Sequence, residues 1–465
     1  MVRPLDEDEE DVVKQLIPVP VRKHLRGWLN SAKNTPFAVD LLELRRWQIA
    51  RKAIGGSAAP RNNPRRLVLL PSDPWSIHQS RGDEAMIEAA VGEMKQAHPN
   101  IEVYIVTATK AASAEVRAMG FKPLEFWRQP FSYMTVAQEL SLTRPDFGMV
   151  LGADVLDGYY SPVDAARMLL VADLMAACGA KVSVLGFSFN SRPAKALREV
   201  FRLLDPGVVL NLRDALSLQR FKEFAPNRAY LVADSAFMLV PQAETAAVKQ
   251  IAAAIAEQRR QGRDVFVFNI HPMLFRKSEP AKLRRMIELA ASAIERMSRE
   301  HNASWVLLAH DYRPEIADDN CLRPLAGRLS AALGNHVHHV EHVLSASEIK
   351  AVVGLVDGVV TGRMHLAIAA LGQGTPVAAI TYQDKFQGLF AHFGVSESLL
   401  LSPEQLLAGD NLEKFLLRFL GAYKTAGAQV RNMLPAVMEL SRANIAPLRG
   451  DGLMSVDAVS DGKVA

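Results

Sequence analysis

Cysteine is scarce in this 465-residue sequence, which contains only Cys178 and Cys321. Neither has a second cysteine or a histidine at the spacing of metal ligands, so a disulfide framework and a structural zinc site are both disfavoured. An excess of one charge is also missing, since 54 lysines and arginines nearly balance 50 aspartates and glutamates. The resulting formal charge of +4 is too small for this length to indicate a nucleic-acid partner.

Long apolar runs are absent as well. No stretch of 18 or more apolar residues occurs, so a membrane-spanning helix is not expected. The chain starts with Met1 and continues with an acidic run at residues 6–11, the reverse of the basic and then apolar order of a signal peptide. Together with the scarce cysteine, this order predicts a cytoplasmic location.

Apolar residues are nevertheless plentiful, at 49% of the chain, with 22% charged residues, as in ordinary globular proteins. The length exceeds the ~100–200 residues of one domain, so at least two hydrophobic cores are expected.

Residues 1–64 are predicted to form a helical leader, which ends in a glycine- and proline-rich loop at 55–64. Two interpretations of this basic and aromatic segment remain open. It could bind an anionic surface at the inner face of the cell membrane, or it could pack on its own protein. The residues concerned are Arg22, Lys23, Arg26, Trp28, Arg45, Arg46, Trp47, Arg51 and Lys52.

Strand and helix patterns alternate from residue 65 onward. Short apolar runs at 67–70, 102–107, 147–151, 182–187 and 208–212 are typical of buried parallel strands, with helical stretches between them at 83–96, 161–177 and 193–203. This alternation predicts a doubly wound, Rossmann-like domain over 65–242.

A second series follows over 243–402. Its predicted strands lie at 265–270, 305–309, 337–340, 358–360 and 377–380, and its helices at 279–300, 319–333, 345–353, 363–372 and 384–392. Residues 403–465 are expected to form C-terminal helices that run back across the domain junction, and then a loose tail. The predicted fold class is therefore α/β, with two Rossmann-like domains facing a cleft as in GT-B glycosyltransferases, plus the helical leader.

Ligands of parallel sheets bind beyond the carboxyl ends of the strands, so residues that follow predicted strands are the first candidates for a site. Thr361-Gly362-Arg363-Met364-His365 follows the strand at 358–360. Arg363 has the planar fork that binds phosphate or carboxylate, His365 can move a proton near neutral pH, and the helix start favours an anion. The alternative is a structural Arg–His pair at the sheet edge.

Further candidates stand at other strand ends. Tyr382 and Lys385 follow the strand at 377–380, and Lys385 could place a compact positive charge on phosphate. Arg213 follows the strand at 208–212, and His310 follows the strand at 305–309 and could bind polar substrate groups. A surface lysine and structural histidines are the alternatives.

Two carboxylates, Asp83 and Glu84, open the first helix of the N-terminal series after Arg81-Gly82. Either could accept a hydroxyl proton. The alternative is a helix start in which acidic residues are favoured by the helix dipole.

Cofactor and metal signals are weak. Gly152-Ala153-Asp154 lacks a full dinucleotide fingerprint. His336, His338, His339 and His342 lie largely along one short strand, where side chains alternate between faces. We therefore expect no metal site and no cofactor.

The ordered set of these segments resembles the polysaccharide pyruvyl transferase family. The matching pieces span about residues 67 to 395 and are Arg81-Gly82-Asp83-Glu84-Ala85, Gly152-Ala153-Asp154, Arg213-Asp214 with Ser217, Asp234-Ser235-Ala236-Phe237, His310 with Asp318-Asp319, Gly362-Arg363-Met364-His365, Gly374-Thr375-Pro376-Val377, and Tyr382 with Lys385.

The resemblance implies transfer of a pyruvyl group from phosphoenolpyruvate to sugar hydroxyls as a ketal. Arg213, His365 and Lys385 are then donor-site positions, and Arg363 would also hold donor charge. His365 is the candidate acid, and Asp83 or Glu84 the candidate base. The implied partners are phosphoenolpyruvate and a glycan or lipid-linked saccharide acceptor. Two alternatives stay open: a GT-B glycosyltransferase that uses a nucleotide sugar, and a non-catalytic glycan-assembly protein on the same scaffold.

Overall fold

A computed structural model describes residues 43–54, 65–78, 80–275, 279–381 and 385–450. Among these residues, none of the helices combines the length and the apolar character needed to cross a membrane.

The first sheet has seven strands, all parallel, in the order β3-β2-β1-β4-β5-β6-β7. Its strands are β1 Arg66–Leu70, β2 Glu102–Val106, β3 Lys122–Leu124, β4 Phe147–Leu151, β5 Lys181–Phe187, β6 Val208–Leu212 and β7 Ala229–Leu231. The order in which strands are added to the sheet reverses between β1 and β4, which creates a crevice at the carboxyl edge.

Helices cover both faces of this sheet, as parallel strands require. Several begin at a side-chain cap that satisfies a free backbone N–H, for example Thr109, Ser132 and Ser161. The helices are α1 Arg45–Ala53, α2 Arg81–Ala97, α3 Lys110–Ala118, α4 Tyr133–Thr143, α5 Pro162–Ala177, α6 Leu197–Leu203 and α7 Ala215–Phe224.

The second sheet has six parallel strands in the order β10-β9-β8-β11-β12-β13, which is the 3-2-1-4-5-6 order of Rossmann folds. Its strands are β8 Asp264–Asn269, β9 Ala303–Leu307, β10 Val337–His339, β11 Gly358–Thr361, β12 Val377–Ile380 and β13 Leu400–Leu401. Its helices are α8 Ala246–Arg260, α9 Pro280–Glu300, α10 Asp319–Leu333, α11 Ala346–Val353, α12 Met364–Leu371 and α13 Lys385–Phe393.

The C-terminal helices α14 Pro403–Leu406, α15 Asn411–Arg442 and α16 Ala446–Arg449 join the two units. The α15 side chains Phe419 and Tyr423 pack on Phe266 of the second sheet. Beyond the end of α15, the amide of Asn444 donates to the Ala233 carbonyl at 2.8 Å, and its oxygen accepts from the N–H of Gly186 at 2.6 Å. The long helix therefore ties both sheets into one body.

The predicted central strands and the α/β class are confirmed. The sequence missed β3, β7 and β13, which are edge strands of two or three residues. One predicted helix is shorter than expected: α6 begins at Leu197, whereas the pattern placed its start at residue 193.

The leader prediction is tested only over residues 43–54; the rest of 1–64 and the tail at 451–465 lie outside the described residues. Here α1 docks on the first unit, since the Trp47 indole N–H and the Arg51 guanidinium both donate to the buried Asp173, at 3.0 and 2.8 Å. Trp47 and Arg51 therefore pack on their own protein, whereas Arg45, Arg46 and Lys52 are exposed.

Candidate active site

The carboxyl edges of the two sheets face each other across a cavity of about 390 Å³. Its walls consist mainly of residues that follow strands. The first unit contributes Ser72, Asp73, Asp83, Asp154, Tyr160 and Arg213, and the second contributes His271, His310, Asp311, Arg313, Arg363, His365 and Lys385, among others. Of the candidates named from the sequence, Asp83, Arg213, His310, Arg363, His365 and Lys385 meet here. Tyr382 lies outside the described residues.

Arg363 precedes the first residue of α12, and two carboxylates hold its guanidinium. Its Nε and Nη2 donate to Asp318 at 2.9 and 2.7 Å, and Nη1 lies 3.3 Å from Asp311. Asp311 also binds Arg313 through both carboxylate oxygens. Arg363 is therefore held rigidly in the cavity wall, with much of its charge already balanced.

Arg213 emerges from the end of β6 and is almost fully buried. Its Nε donates to the Ser188 hydroxyl at 2.6 Å, and its Nη1 donates to Asp234 at 3.1 Å. The Nε2 of His365 lies 3.7 Å from the same Asp234 carboxylate, too far for a hydrogen bond, and has no hydrogen-bond partner among the described residues. Asp234 thus lies beside a cation and an imidazole from opposite sides of the cleft.

The surroundings of His365 favour the neutral form of its imidazole near pH 7. Burial lowers its pKa, which the neighbouring Asp234 opposes only in part, while Arg213 lowers it further. Burial and the surrounding histidines and arginines also depress the pKa of His310 well below its usual range. Both rings therefore begin as neutral groups in the cavity.

Lys385, the first residue of α13, forms an ion pair with Asp154, which follows β4. This ion pair crosses the cleft from the second unit to the first. The Tyr160 hydroxyl donates to the same carboxylate at 3.1 Å.

Asp83, in the first turn of α2, accepts a hydrogen bond from the Ser72 hydroxyl. Burial raises the pKa of Asp83 to about 7, since the Ser72 bond and Arg313 only partly offset the burial and Asp73 adds to it. A carboxyl group of this kind can both accept and donate a proton near neutral pH.

Glu84 is not among the described residues that line the cavity. It is 2% exposed, binds Arg81, and accepts the N–H of Ala346 at the start of α11 at 3.0 Å. Its place is an inter-unit contact that satisfies a free helix N–H. The two adjacent carboxylates proposed from the sequence therefore differ, and only Asp83 faces the cavity.

Several lining residues were not singled out by the sequence: Ser72, Asp73, Tyr160 and Arg313. Ser72 and Asp73 directly follow β1, at the point where the strand order reverses. The same strand-end rule that found Arg363 would have found them. Asp154 appears in the sequence analysis only within the segment Gly152-Ala153-Asp154, with no role of its own.

No group of three or more His, Cys, Asp or Glu residues within the described ranges is arranged to hold a metal ion. His338 and His339 lie on the short strand β10, and His339 Nε2 lies 3.1 Å from Asp319.

Two Rossmann-like units around a cavity of buried ionisable groups define an enzyme of the GT-B architecture. A family model described as polysaccharide pyruvyl transferase matches residues 81–384, and the chain therefore belongs to this family of transferases. No curated protein sequence matches the chain significantly.

Solved structures support the fold. A putative UDP-N-acetylglucosamine 2-epimerase from Listeria monocytogenes superposes with a TM-score of 0.52 at 11% identity, over 84% of this chain and 99% of that chain. The UDP-GlcNAc 2-epimerase from Neisseria meningitidis, bound to UDP-GlcNAc, gives 0.50 at 13% identity, over 83% and 100%.

Proposed function

We propose that the protein transfers the pyruvyl group of phosphoenolpyruvate to two hydroxyls of a polysaccharide or its lipid-linked precursor, forms a ketal and releases phosphate. The observation that carries this proposal is the convergence of Arg213, His365 and Lys385 on one cavity. A cytoplasmic reaction at the inner face of the membrane would suit a lipid-linked acceptor of cell-envelope or exopolysaccharide synthesis.

The charges of the cavity suit this donor. Phosphoenolpyruvate carries a carboxylate and a phosphate, and Arg213 and Lys385 approach the cavity from opposite units. Arg363, whose guanidinium is held by Asp318 and Asp311, precedes α12, and the N-terminal dipole of this helix favours an anion. An Arg fork and a Lys point charge suit a carboxylate and a phosphate respectively.

The reaction starts with protonation of the donor's methylene carbon, which becomes a methyl group. The neighbouring carbon becomes an oxocarbenium-like centre, and the first acceptor hydroxyl bonds to it. Phosphate then leaves, and the second hydroxyl bonds to the same carbon. Of the two hydroxyl protons released, one balances the methyl group and the other leaves with phosphate.

His365 is suited to the proton donation. Burial lowers its pKa, and a bound trianion would raise it, because nearby negative charge favours the imidazolium. Protonation would therefore accompany donor binding. Asp83 is the candidate base for an acceptor hydroxyl, since it faces the cavity with a pKa of about 7.

The rival enzyme is a glycosyltransferase that uses a nucleotide sugar, since the Neisseria epimerase of the same fold binds UDP-GlcNAc. The decisive assay incubates the purified protein with glycan acceptors and either phosphoenolpyruvate or UDP-sugars. Phosphate release that needs both phosphoenolpyruvate and glycan supports the proposal. Release of UDP without any reaction of phosphoenolpyruvate refutes it.

The non-catalytic alternative is tested by His365→Ala in cells and in vitro. If the protein is an enzyme, the variant stays folded and loses turnover by about 10²- to 10⁴-fold, the usual weight of a general acid. A glycan-assembly protein would keep its cellular role in this variant.

A further inference from the structure

The ion pair between Asp154 and Lys385 occupies the place where the donor's charge is expected. Asp154 follows β4 of the first unit, and Lys385 begins α13 of the second. Both residues line the main cavity and a smaller adjoining one. An anion bound to Lys385 must therefore compete with Asp154.

The surroundings of Asp154 make its basicity depend on these cations. Burial alone would raise its pKa, but Lys385, Arg213 and the Tyr160 hydroxyl outweigh burial and hold the pKa well below its usual range. The other titratable groups that interact with it are His365, Asp83 and Asp157. Before donor binds, Asp154 is therefore a charged but very weak base.

We propose that Asp154 is a second catalytic carboxylate, which donor binding releases from Lys385 so that it takes the proton of an acceptor hydroxyl. This inference rests on the proposed function. When the donor's anionic groups neutralise Lys385 and Arg213, the Asp154 carboxylate loses the charges that suppress its basicity. The base thus becomes active only when donor is present.

Formation of a ketal releases two hydroxyl protons, which is a reason for two bases. Two hydroxyl O–H bonds break as two C–O bonds form on the same carbon. Asp154 takes the proton of the first hydroxyl and passes it to the departing phosphate. Asp83 takes the proton of the second hydroxyl, and this proton replaces, by way of solvent, the one that His365 gave to the methyl group. Asp311, another carboxylate in the wall, is bound by Arg313 and Arg363 and is poorly placed to act as a base.

Asp154→Asn should bind the donor more tightly and yet turn over more slowly. Without a carboxylate competing for Lys385, phosphoenolpyruvate binds about 3- to 10-fold tighter by calorimetry in the absence of acceptor. Turnover nevertheless falls by about 10²- to 10⁴-fold, because the base is gone. The matched control is Asp164→Asn, which removes an exposed carboxylate on α5 and leaves both quantities unchanged.

Unchanged or weaker donor binding in Asp154→Asn overturns the inference, and so does turnover close to the wild-type rate. The proposed function then still stands if the wild-type protein binds phosphoenolpyruvate and releases phosphate in the presence of glycan. A wild-type protein that does neither overturns both.

A milder variant, Tyr160→Phe, tests the same role of Asp154 if Asp154→Asn fails to fold. Tyr160→Phe removes one hydrogen bond that stabilises the Asp154 carboxylate, so the pKa of Asp154 rises. The acidic side of the kcat profile then moves to higher pH. A profile that superimposes on that of the wild-type protein contradicts a role of Asp154 as base.

Discussion

The imidazole of His365 lies directly against the backbone of Gly82. A Cβ atom placed on Gly82 would come within 2.4 Å of the His365 Nδ1 atom. The first turn of α2 in one unit and the first turn of α12 in the other are thus in close contact. Only a residue without a side chain allows the ring to take its place beside Arg213 and Asp234.

Gly82→Ala should therefore displace His365 without unfolding the protein. Gly82 is helical, and alanine is a better helix former than glycine by up to ~1 kcal/mol, so the backbone itself is not penalised. We expect kcat to fall by about 10²-fold because the imidazole is misplaced. Steady-state kinetics and thermal unfolding measure the two effects separately.

Gly92→Ala is the matched control in the same helix. A Cβ on Gly92 meets no atom within 4 Å, so this variant should keep full activity. Equal losses of kcat in both variants would show that α2 tolerates no substitution and that displacement of His365 is not the cause.

The central architecture was predictable because buried parallel strands are short apolar runs, such as β4 with Phe147–Leu151 buried throughout. The edge strands were not predictable in this way. β3 reads Lys-Pro-Leu, and a proline is tolerated there only because an edge strand leaves one side unpaired. β13 has only two residues, too few for any period to appear.

The site was predictable to the extent that strand ends locate its residues, as with Arg213 and Arg363. The group that each side chain faces was not predictable, because contacts with residues far apart in the sequence determine the orientation of the side chain. Asp83 and Glu84 are adjacent in a helix start, yet Ser72 directs one to the cavity while Arg81 and Ala346 engage the other.

Lys385→Ala should weaken binding of the donor more than binding of the acceptor. The variant removes a cation and also leaves the half-buried Asp154 without its ion-pair partner, so the remaining carboxylate repels an anionic donor. We expect the Kd of phosphoenolpyruvate to rise by about 10- to 100-fold, with a smaller change in the acceptor KM. Lys424→Ala, an exposed lysine on α15, is the control. Unchanged donor affinity in Lys385→Ala would remove that residue from the donor site.

Asp83→Asn should lose activity but gain stability at neutral and alkaline pH. Because the folded pKa of Asp83 lies near 7, above the ordinary 3.8, the wild-type protein loses stability as the pH rises from about 4 to about 7. The asparagine variant has no such loss, so its advantage should grow over this range to about 1–4 kcal/mol. Chemical unfolding at pH 5 and pH 8 measures this difference. An advantage that does not grow with pH would show that Asp83 is not buried as a proton-binding group.

The most direct test of the account is a crystal structure of the protein with phosphoenolpyruvate bound. We expect the donor in the cavity between the two sheets, with its anionic groups in contact with Arg213 and Lys385 and with His365 beside the reacting carbons. A donor bound elsewhere, or a cavity that stays empty at saturating phosphoenolpyruvate, would contradict the account.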